Sequence, residues 1–124
     1  MANPVFFFEV VGKDPDALRS FYSRLFDWEY SVPSGDPNYG IVPPAPGGIA
    51  GGVGSKEGAP GHVTFYVRVP DVAAHLAKAN SLGGTTILPT MEVPAPGGAG
   101  GTLKIALFAD PEGHMVGLSE DPGQ

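Results

Sequence analysis

Cysteine is absent from this chain of 124 residues, and basic residues are few. Without cysteine the protein has no disulfide, no thiolate nucleophile and no cysteine-ligated zinc site. Seven basic residues stand against thirteen acidic ones, which gives a formal net charge of −6, and Lys and Arg form no cluster. We therefore expect neither nucleic acid nor an anionic membrane surface as a partner. Three histidines, the carboxylates and four tyrosines are left for chemistry.

Long apolar runs are also missing. The longest strongly apolar run is Val5 to Phe8, whereas a membrane-spanning helix needs about 20 apolar residues. No basic segment precedes an apolar stretch as it does in a signal peptide. The sequence therefore predicts a cytoplasmic protein with no membrane segment.

Glycine and proline, in contrast, are abundant. The 19 glycines and 14 prolines make up about a quarter of the chain, close to the composition of disordered segments. Most of them fall within residues 33–61 and 83–101, and the remainder reads as ordinary globular sequence. A domain of this length buries enough surface to form a core without metal or disulfide. The excess therefore predicts long loops in a folded domain.

The first half of the chain reads as a strand, a helix and short strands. Asn3 to Val11 is rich in aromatic and β-branched residues, which predicts a strand. Asp14 before Pro15 is a helix-start signal, so we expect a helix over Pro15 to Phe26. Its apolar residues recur at spacings of three and four and are predicted to pack on a sheet. They are Leu18, Phe21, Tyr22, Leu25 and Phe26. Further strands are predicted at Trp28 to Val32, Tyr39 to Val42 and Gly48 to Val53.

The second half repeats this order. His62 to Val69 predicts a strand and Val72 to Leu82 a helix. Three more short strands follow, at Thr85 to Leu88, Leu103 to Phe108 and Met115 to Ser119. An offset of 57 places Asp14 on Asp71 and aligns strand with strand and helix with helix. The chain is therefore predicted to contain a duplicated unit of about 60 residues.

Three segments carry a resemblance to a known family. FFEVVGKDPDALRSFYSRLFDW in the first half, and VTFYVRVPDVAAHLAKANSLGG and LFADPEGHMVGL in the second, resemble the vicinal oxygen chelate superfamily of glyoxalases, bleomycin-resistance proteins and extradiol dioxygenases. The resemblance implies an α+β fold of two tandem βαβββ modules, whose curved mixed sheets surround a cleft. Module one would span about 3–56 and module two about 60–120 of a single domain, 1–124. It also implies a homodimer.

The same resemblance implies a divalent metal, held by His or Gln on the first strand of each module and Glu on the last. The matching positions here are Phe7 and Thr64 on the first strands, and Gly51 and Gly117 on the last. Phe and Gly offer no side-chain donor, and a Thr hydroxyl is a weak ligand for transition metals. We therefore expect no metal at these positions and no other cofactor. Instead, the two glycines would leave apolar room for a ligand.

Glu9 and His62 are the candidate catalytic residues. Strand side chains alternate between faces, so Glu9 shares a face with Phe7, and His62 shares one with Thr64. If the two first strands are antiparallel neighbours with Phe7 opposite Thr64, Glu9 faces His62. A carboxylate beside an imidazole can perform acid–base chemistry at neutral pH, or can supply two ligands to a displaced metal. Alternatively, His62 is an exposed strand-end residue, and Arg68 is the partner of Glu9.

Aromatic residues complete the predicted ligand site. Tyr66 shares the face of Thr64, and one or two of Trp28, Tyr30 and Tyr39 could stack on a planar ligand. His114 is read as a turn residue of the Asp-Pro-Glu-Gly segment and His75 as a surface residue of the second helix.

Two functions from different classes follow. The first is binding of a small apolar or aromatic molecule without the usual metal, as in drug-binding resistance proteins. The alternative is a lyase, isomerase or dioxygenase-type enzyme that uses Glu9 and His62 as acid and base or as ligands of a displaced divalent metal. A third, structural reading is a dimeric scaffold without a ligand. The residues alone leave open whether any reaction is catalysed.

Overall fold

The computed structural model describes residues 2–31, 38–55, 61–94 and 101–120. These residues form two helices and seven strands and divide into two compact units. One unit, here called the first unit, holds the described residues between 7 and 63. The second unit holds residues 64–94 and 101–120 together with residues 2–6. No helix among the described residues has the length and apolar character needed to cross a membrane.

The first unit is built on three strands. Strand β1 (Val5–Val11, of which residues 7–11 belong to this unit) pairs in parallel with β3 (Ala50–Gly54). β3 pairs in antiparallel with β2 (Tyr39–Val42), so the order is β2–β3–β1. The predicted strand at Trp28 to Val32 is reduced to a single antiparallel bridge between Ser31 and Ile41, and Val32 lies outside the described residues.

Helix α1 (Pro15–Phe26) begins where the sequence predicted. The Asp14 side chain accepts a hydrogen bond from the Ala17 amide at 3.0 Å, which satisfies one of the free amides of the first turn. Asp27 ends the helix in the left-handed conformation, with φ 61°.

The predicted packing of α1 is only partly right. Leu18 and Tyr22, one turn apart, pack against a core of valines from all three strands. Phe21, Leu25 and Phe26 instead remain about half exposed. The apolar face of this helix is therefore wider than the surface of the strands that it covers, and the side chains at its edge are left in solvent.

The second unit has the complete βαβββ order. Strand β4 (His62–Val69, of which residues 64–69 belong to this unit) is followed by helix α2 (Val72–Ser81) and by β5 (Thr85–Pro94), β6 (Thr102–Ala109) and β7 (Met115–Glu120). β4 pairs in parallel with β7, and β7–β6 and β6–β5 are antiparallel. The strand predicted at Thr85 to Leu88 is longer than expected and reaches Pro94.

Both units share the features that the predicted duplication requires. Asp71 caps α2 by accepting from the Ala74 amide at 3.0 Å, as Asp14 does for α1. In each unit the first strand pairs in parallel with the last. A carboxylate oxygen of Glu120 on β7 also accepts from the Val72 amide at 2.9 Å and so ties α2 to its sheet. The predicted α+β fold is confirmed.

Candidate functional site

Glu9 is a buried carboxylate in the middle of β1. Glu9 is only 1% exposed, and its neighbours on the same face of the strand, Phe7 and Val11, are also buried. Burying a carboxylate among apolar side chains is costly unless hydrogen bonds replace the lost water. The partners of Glu9 therefore decide what this position does.

Two side chains of the first unit hold the carboxylate. The Tyr39 hydroxyl donates to Oε2 at 2.7 Å, and Nε2 of His62 lies 3.0 Å from Oε1. The Tyr39 distance is that of an ordinary O–H···O hydrogen bond. The predicted contact between Glu9 and His62 is therefore confirmed, whereas a contact between Glu9 and Tyr39 was not predicted.

The histidine tautomer follows from the charge on Glu9. With Glu9 ionised, its carboxylate only accepts, so the proton shared with Oε1 belongs to Nε2 of His62. In a neutral imidazole, Nδ1 then keeps its lone pair. No residue in the described part of the chain forms a hydrogen bond with Nδ1. The His62 side chain is 13% exposed and that of Glu9 2%, so the imidazole is the part of the pair that reaches solvent.

Gly52 explains how Tyr39 reaches across to Glu9. The register pairs Glu9 with Gly52 and Gly52 with Ile41, so these three positions share a face. A Cβ atom at Gly52 would overlap the ring and hydroxyl of Tyr39. The missing side chain therefore leaves the space in which Tyr39 lies across β3.

Gly51 does not share the face of Glu9, contrary to the prediction from the sequence. Gly51 pairs with Phe8, and a Cβ atom there would overlap the Phe8 ring on the opposite face from Glu9. Glu9 pairs with Gly52, and Tyr66, 57 residues after Glu9, pairs with Gly117. Gly52, not Gly51, is therefore the counterpart of Gly117, and the sequence match was wrong by one residue.

Trp28 also lies on the Phe8 face. Its ring packs on Phe8 with the centroids 5.1 Å apart and stacks on Tyr22 at 5.4 Å, within the core cluster beneath α1. The structure does not bring Trp28 together with Glu9 and His62. Tyr30, on the same side, donates its hydroxyl to the Arg19 carbonyl at 2.9 Å, and burial raises the pKa of this phenol.

The second unit holds the other predicted ligand-binding residues. Tyr66 is buried, and its ring occupies the space that a side chain at Gly117 would need. Thr64 is buried as well, and its hydroxyl donates to the Met115 carbonyl at 2.7 Å. A ligand-binding role of these residues stays a prediction.

The residues at the family's metal positions do not fit a metal. Phe7 is apolar, the Thr64 hydroxyl is engaged with a carbonyl, and the spaces beside Gly52 and Gly117 are filled by tyrosine rings. Across the described ranges, no group of three or more His, Cys, Asp or Glu side chains is placed to hold a metal ion. Glu9 and His62 are two donors, fewer than the three protein ligands of a typical catalytic zinc site.

The two remaining histidines lie outside this site. Nδ1 of His114 lies 2.9 Å from Asp110, whose other oxygen accepts from the Glu112 and His114 amides, so both belong to the predicted turn. His75 lies on α2, with Nδ1 3.2 Å from the Asp71 carbonyl.

Solved structures with the same fold come from several bacteria. A glyoxalase/bleomycin resistance protein/dioxygenase superfamily member from Vibrio splendidus 12B01 is 17% identical, with a TM-score of 0.64 over 97% of this chain and 99% of that one. Methylmalonyl-CoA epimerase of Streptomyces coelicolor is 16% identical, with a TM-score of 0.59 over 99% and 100%. A protein described as NAD-dependent benzaldehyde dehydrogenase from Legionella pneumophila is 16% identical, with a TM-score of 0.65 over 92% and 96%.

No curated protein sequence matches the chain. The sequence model of the glyoxalase-like domain, in contrast, matches residues 8–118, which is nearly the whole chain. The resemblance noted in the sequence is therefore confirmed, and the chain belongs to the glyoxalase-like domain family.

Proposed function

We propose that this protein is an acid–base enzyme of the isomerase or lyase class that acts on a small molecule through His62 and Glu9. The observation that carries the proposal is the buried Glu9 carboxylate, which lies between the Tyr39 hydroxyl and Nε2 of His62. His62 would exchange a proton with the substrate, and Glu9 would orient the imidazole and stabilise its charged form.

Burial separates this arrangement from an ordinary surface ion pair. Packing alone would favour an apolar side chain at position 9, because the same face of β1 carries Phe7 and Val11 and all three are buried. A surface carboxylate would need no such set of partners. Proteins depart from the packing preferences of their fold mainly at functional sites, and a buried carboxylate in an apolar strand is such a departure.

Proton transfer follows from the tautomer. Nδ1 of His62 has the free lone pair, so it would take a proton from an acidic C–H or O–H group of the substrate. The imidazolium that forms would be held by Glu9 through Nε2. Return of the same proton to another position, or to the other side of the same carbon, gives an isomerase, whereas loss of a leaving group gives a lyase.

The surroundings favour a small and largely apolar substrate. Phe7 and Ile41 share the face of Glu9, and Gly52 adds no bulk there. The fold supports such chemistry in other proteins, since methylmalonyl-CoA epimerase is among the similar structures.

Solvent deuterium exchange tests the proposal without knowledge of the natural substrate. The protein is incubated in D2O with an acyl thioester, an α-hydroxy ketone or an aryl ketone, and deuterium at carbon is measured by mass spectrometry. We expect exchange with at least one probe, and Glu9→Gln and His62→Gln to slow it by about a hundredfold or more. His75→Gln, a histidine remote in sequence on α2, is the matched control and should exchange at the wild-type rate.

Binding without catalysis is the second candidate function, favoured by the apolar Phe7 and Ile41 on the Glu9 face. A probe that binds wild type and Glu9→Gln with equal affinity, and that never exchanges, would support this reading and overturn the enzyme. Exchange that is equally fast in wild type and both variants would also overturn the role of the pair.

A further inference from the structure

We infer that Tyr39 is a positioning residue, which lies across Gly52 to fix the Glu9 carboxylate in the orientation that holds His62. The inference rests on the proposed function, because it concerns the same site. It gives Tyr39 a different task from the one the sequence suggested, which was to stack on a planar ligand.

The first step concerns the two oxygens of Glu9. Rotation about the last side-chain bond of a glutamate is soft, so one contact alone does not fix the carboxylate plane. Here Tyr39 binds Oε2 at 2.7 Å and His62 binds Oε1 at 3.0 Å. With Oε2 held, Oε1 stays directed at the imidazole.

The second step concerns where Tyr39 comes from. Its strand, β2, is separated from β1 by β3, since the order in this unit is β2–β3–β1. The tyrosine must therefore span a whole strand to touch Glu9. Only a residue without a side chain at position 52 leaves its ring that path, because any Cβ there would overlap the hydroxyl and the ring.

The third step follows for the substitution Gly52→Ala. It leaves Glu9, His62 and the Tyr39 hydroxyl in the chain but displaces the ring that carries the hydroxyl. If the inference holds, Gly52→Ala and Tyr39→Phe have the same effect on His62, although they change different residues on different strands. A residue with a purely structural role would not produce this equivalence.

The readout is the Nε2 proton of His62, observed by NMR. A proton held between an imidazole and a buried carboxylate is shifted far downfield and exchanges slowly with water, so it gives a separate resonance. Its absence in His62→Gln assigns it. We expect its exchange with water to become about tenfold faster or more in Tyr39→Phe and in Gly52→Ala, because each loses a hydrogen bond to a charged group.

The double variant and a tyrosine control complete the test. Tyr39→Phe combined with Gly52→Ala should exchange no faster than Tyr39→Phe alone, since both remove one interaction. Tyr30→Phe removes a hydroxyl that donates to the Arg19 carbonyl at 2.9 Å, on the other face of the unit, and should leave the resonance unchanged. Amide spectra confirm that each variant is folded.

Three results have distinct meanings. An unchanged resonance in folded Tyr39→Phe overturns the positioning role, and this variant is decisive even if Gly52→Ala does not fold. Additive effects in the double variant overturn the role of Gly52. Faster exchange of the Nε2 proton with water in Tyr39→Phe, together with deuterium incorporation into the probe that is unaltered in Glu9→Gln, supports the positioning role and overturns the proposed enzyme instead.

Discussion

Nε2 of His62 lies 3.0 Å from Oε1 of Glu9, and the carboxylate is nearly closed to solvent while the imidazole is not. The contact joins residues that are 53 positions apart in the chain. It therefore depends on the tertiary fold of the first unit and not on local sequence.

Removal of the Glu9 carboxylate should destabilise the protein. Glu9→Ala leaves the Tyr39 hydroxyl and the His62 ring without their acceptor and creates a cavity, for which we expect a loss of about 3 kcal/mol in the free energy of unfolding. Glu9→Gln keeps one oxygen and should cost about 1 kcal/mol. Urea denaturation measures both. Glu29→Ala, at an exposed carboxylate, is the control, and an equal loss there would contradict the prediction.

Gly117 should tolerate a methyl group only if Tyr66 becomes smaller. The φ angle of Gly117 is not among the positive ones, and the atoms nearest to a Cβ at this position belong to the Tyr66 ring. We expect Gly117→Ala to lower the free energy of unfolding by about 1–3 kcal/mol. In a Tyr66→Leu background the same substitution should cost less, by about 1 kcal/mol or more. If the two substitutions lower the free energy of unfolding additively in urea denaturation, the Tyr66 ring is not the obstacle to a methyl group at position 117.

Local signals in the sequence predicted most of the fold. Asp14 and Asp71 marked the helix starts correctly, because capping depends on residues within one turn. The strands Tyr39–Val42 and His62–Val69 were predicted to the residue. The predicted strand after Trp28 was wrong, since a lasting strand needs partners along its length and only Ser31 has one among the described residues.

The site was harder to predict, because it depends on which face a residue occupies. A shift of one residue in register moves a side chain to the other face of a sheet. The sequence match was shifted by one residue in this way, so it selected Gly51 instead of Gly52. The contact of Glu9 with His62 could be predicted from strand alternation together with the assumption that the two first strands are antiparallel neighbours. The contact of Tyr39 could not, because it crosses an intervening strand through a space that only the folded register reveals.

The turn at Asp110 should make stability depend on acid pH. Hydrogen bonds from the backbone amide and then the side chain of His114, with the Glu112 amide, hold the pKa of Asp110 below its ordinary value of 3.8. A lowered pKa in the folded state means that the ionised form stabilises the fold above pH 3.8 and that this contribution is lost as the pH falls through the lowered value.

Asp110→Asn tests this dependence. The variant keeps the shape of the side chain but not its charge, so it should be less stable than wild type at pH 6, and the difference should shrink below pH 3.8. Urea denaturation at a series of pH values measures the difference. A stability difference between wild type and Asp110→Asn that grows on acidification would contradict a lowered pKa of Asp110.

A measurement of metal retention distinguishes an acid–base site from a displaced metal site. Glu9 and His62 offer two donors, and Tyr39 already occupies the second oxygen of the carboxylate. Protein ligands number three or four in typical zinc sites, so we expect wild-type protein that has been loaded with Zn²⁺, Ni²⁺ or Mn²⁺ and then desalted to keep well under one equivalent by elemental analysis. Tyr39→Phe removes one hydrogen bond to Oε2 without adding a ligand, and this variant should retain no more metal than wild type. One retained equivalent that disappears in both Glu9→Gln and His62→Gln would contradict this expectation, because it would identify the pair as ligands of a metal ion and not as an acid–base pair.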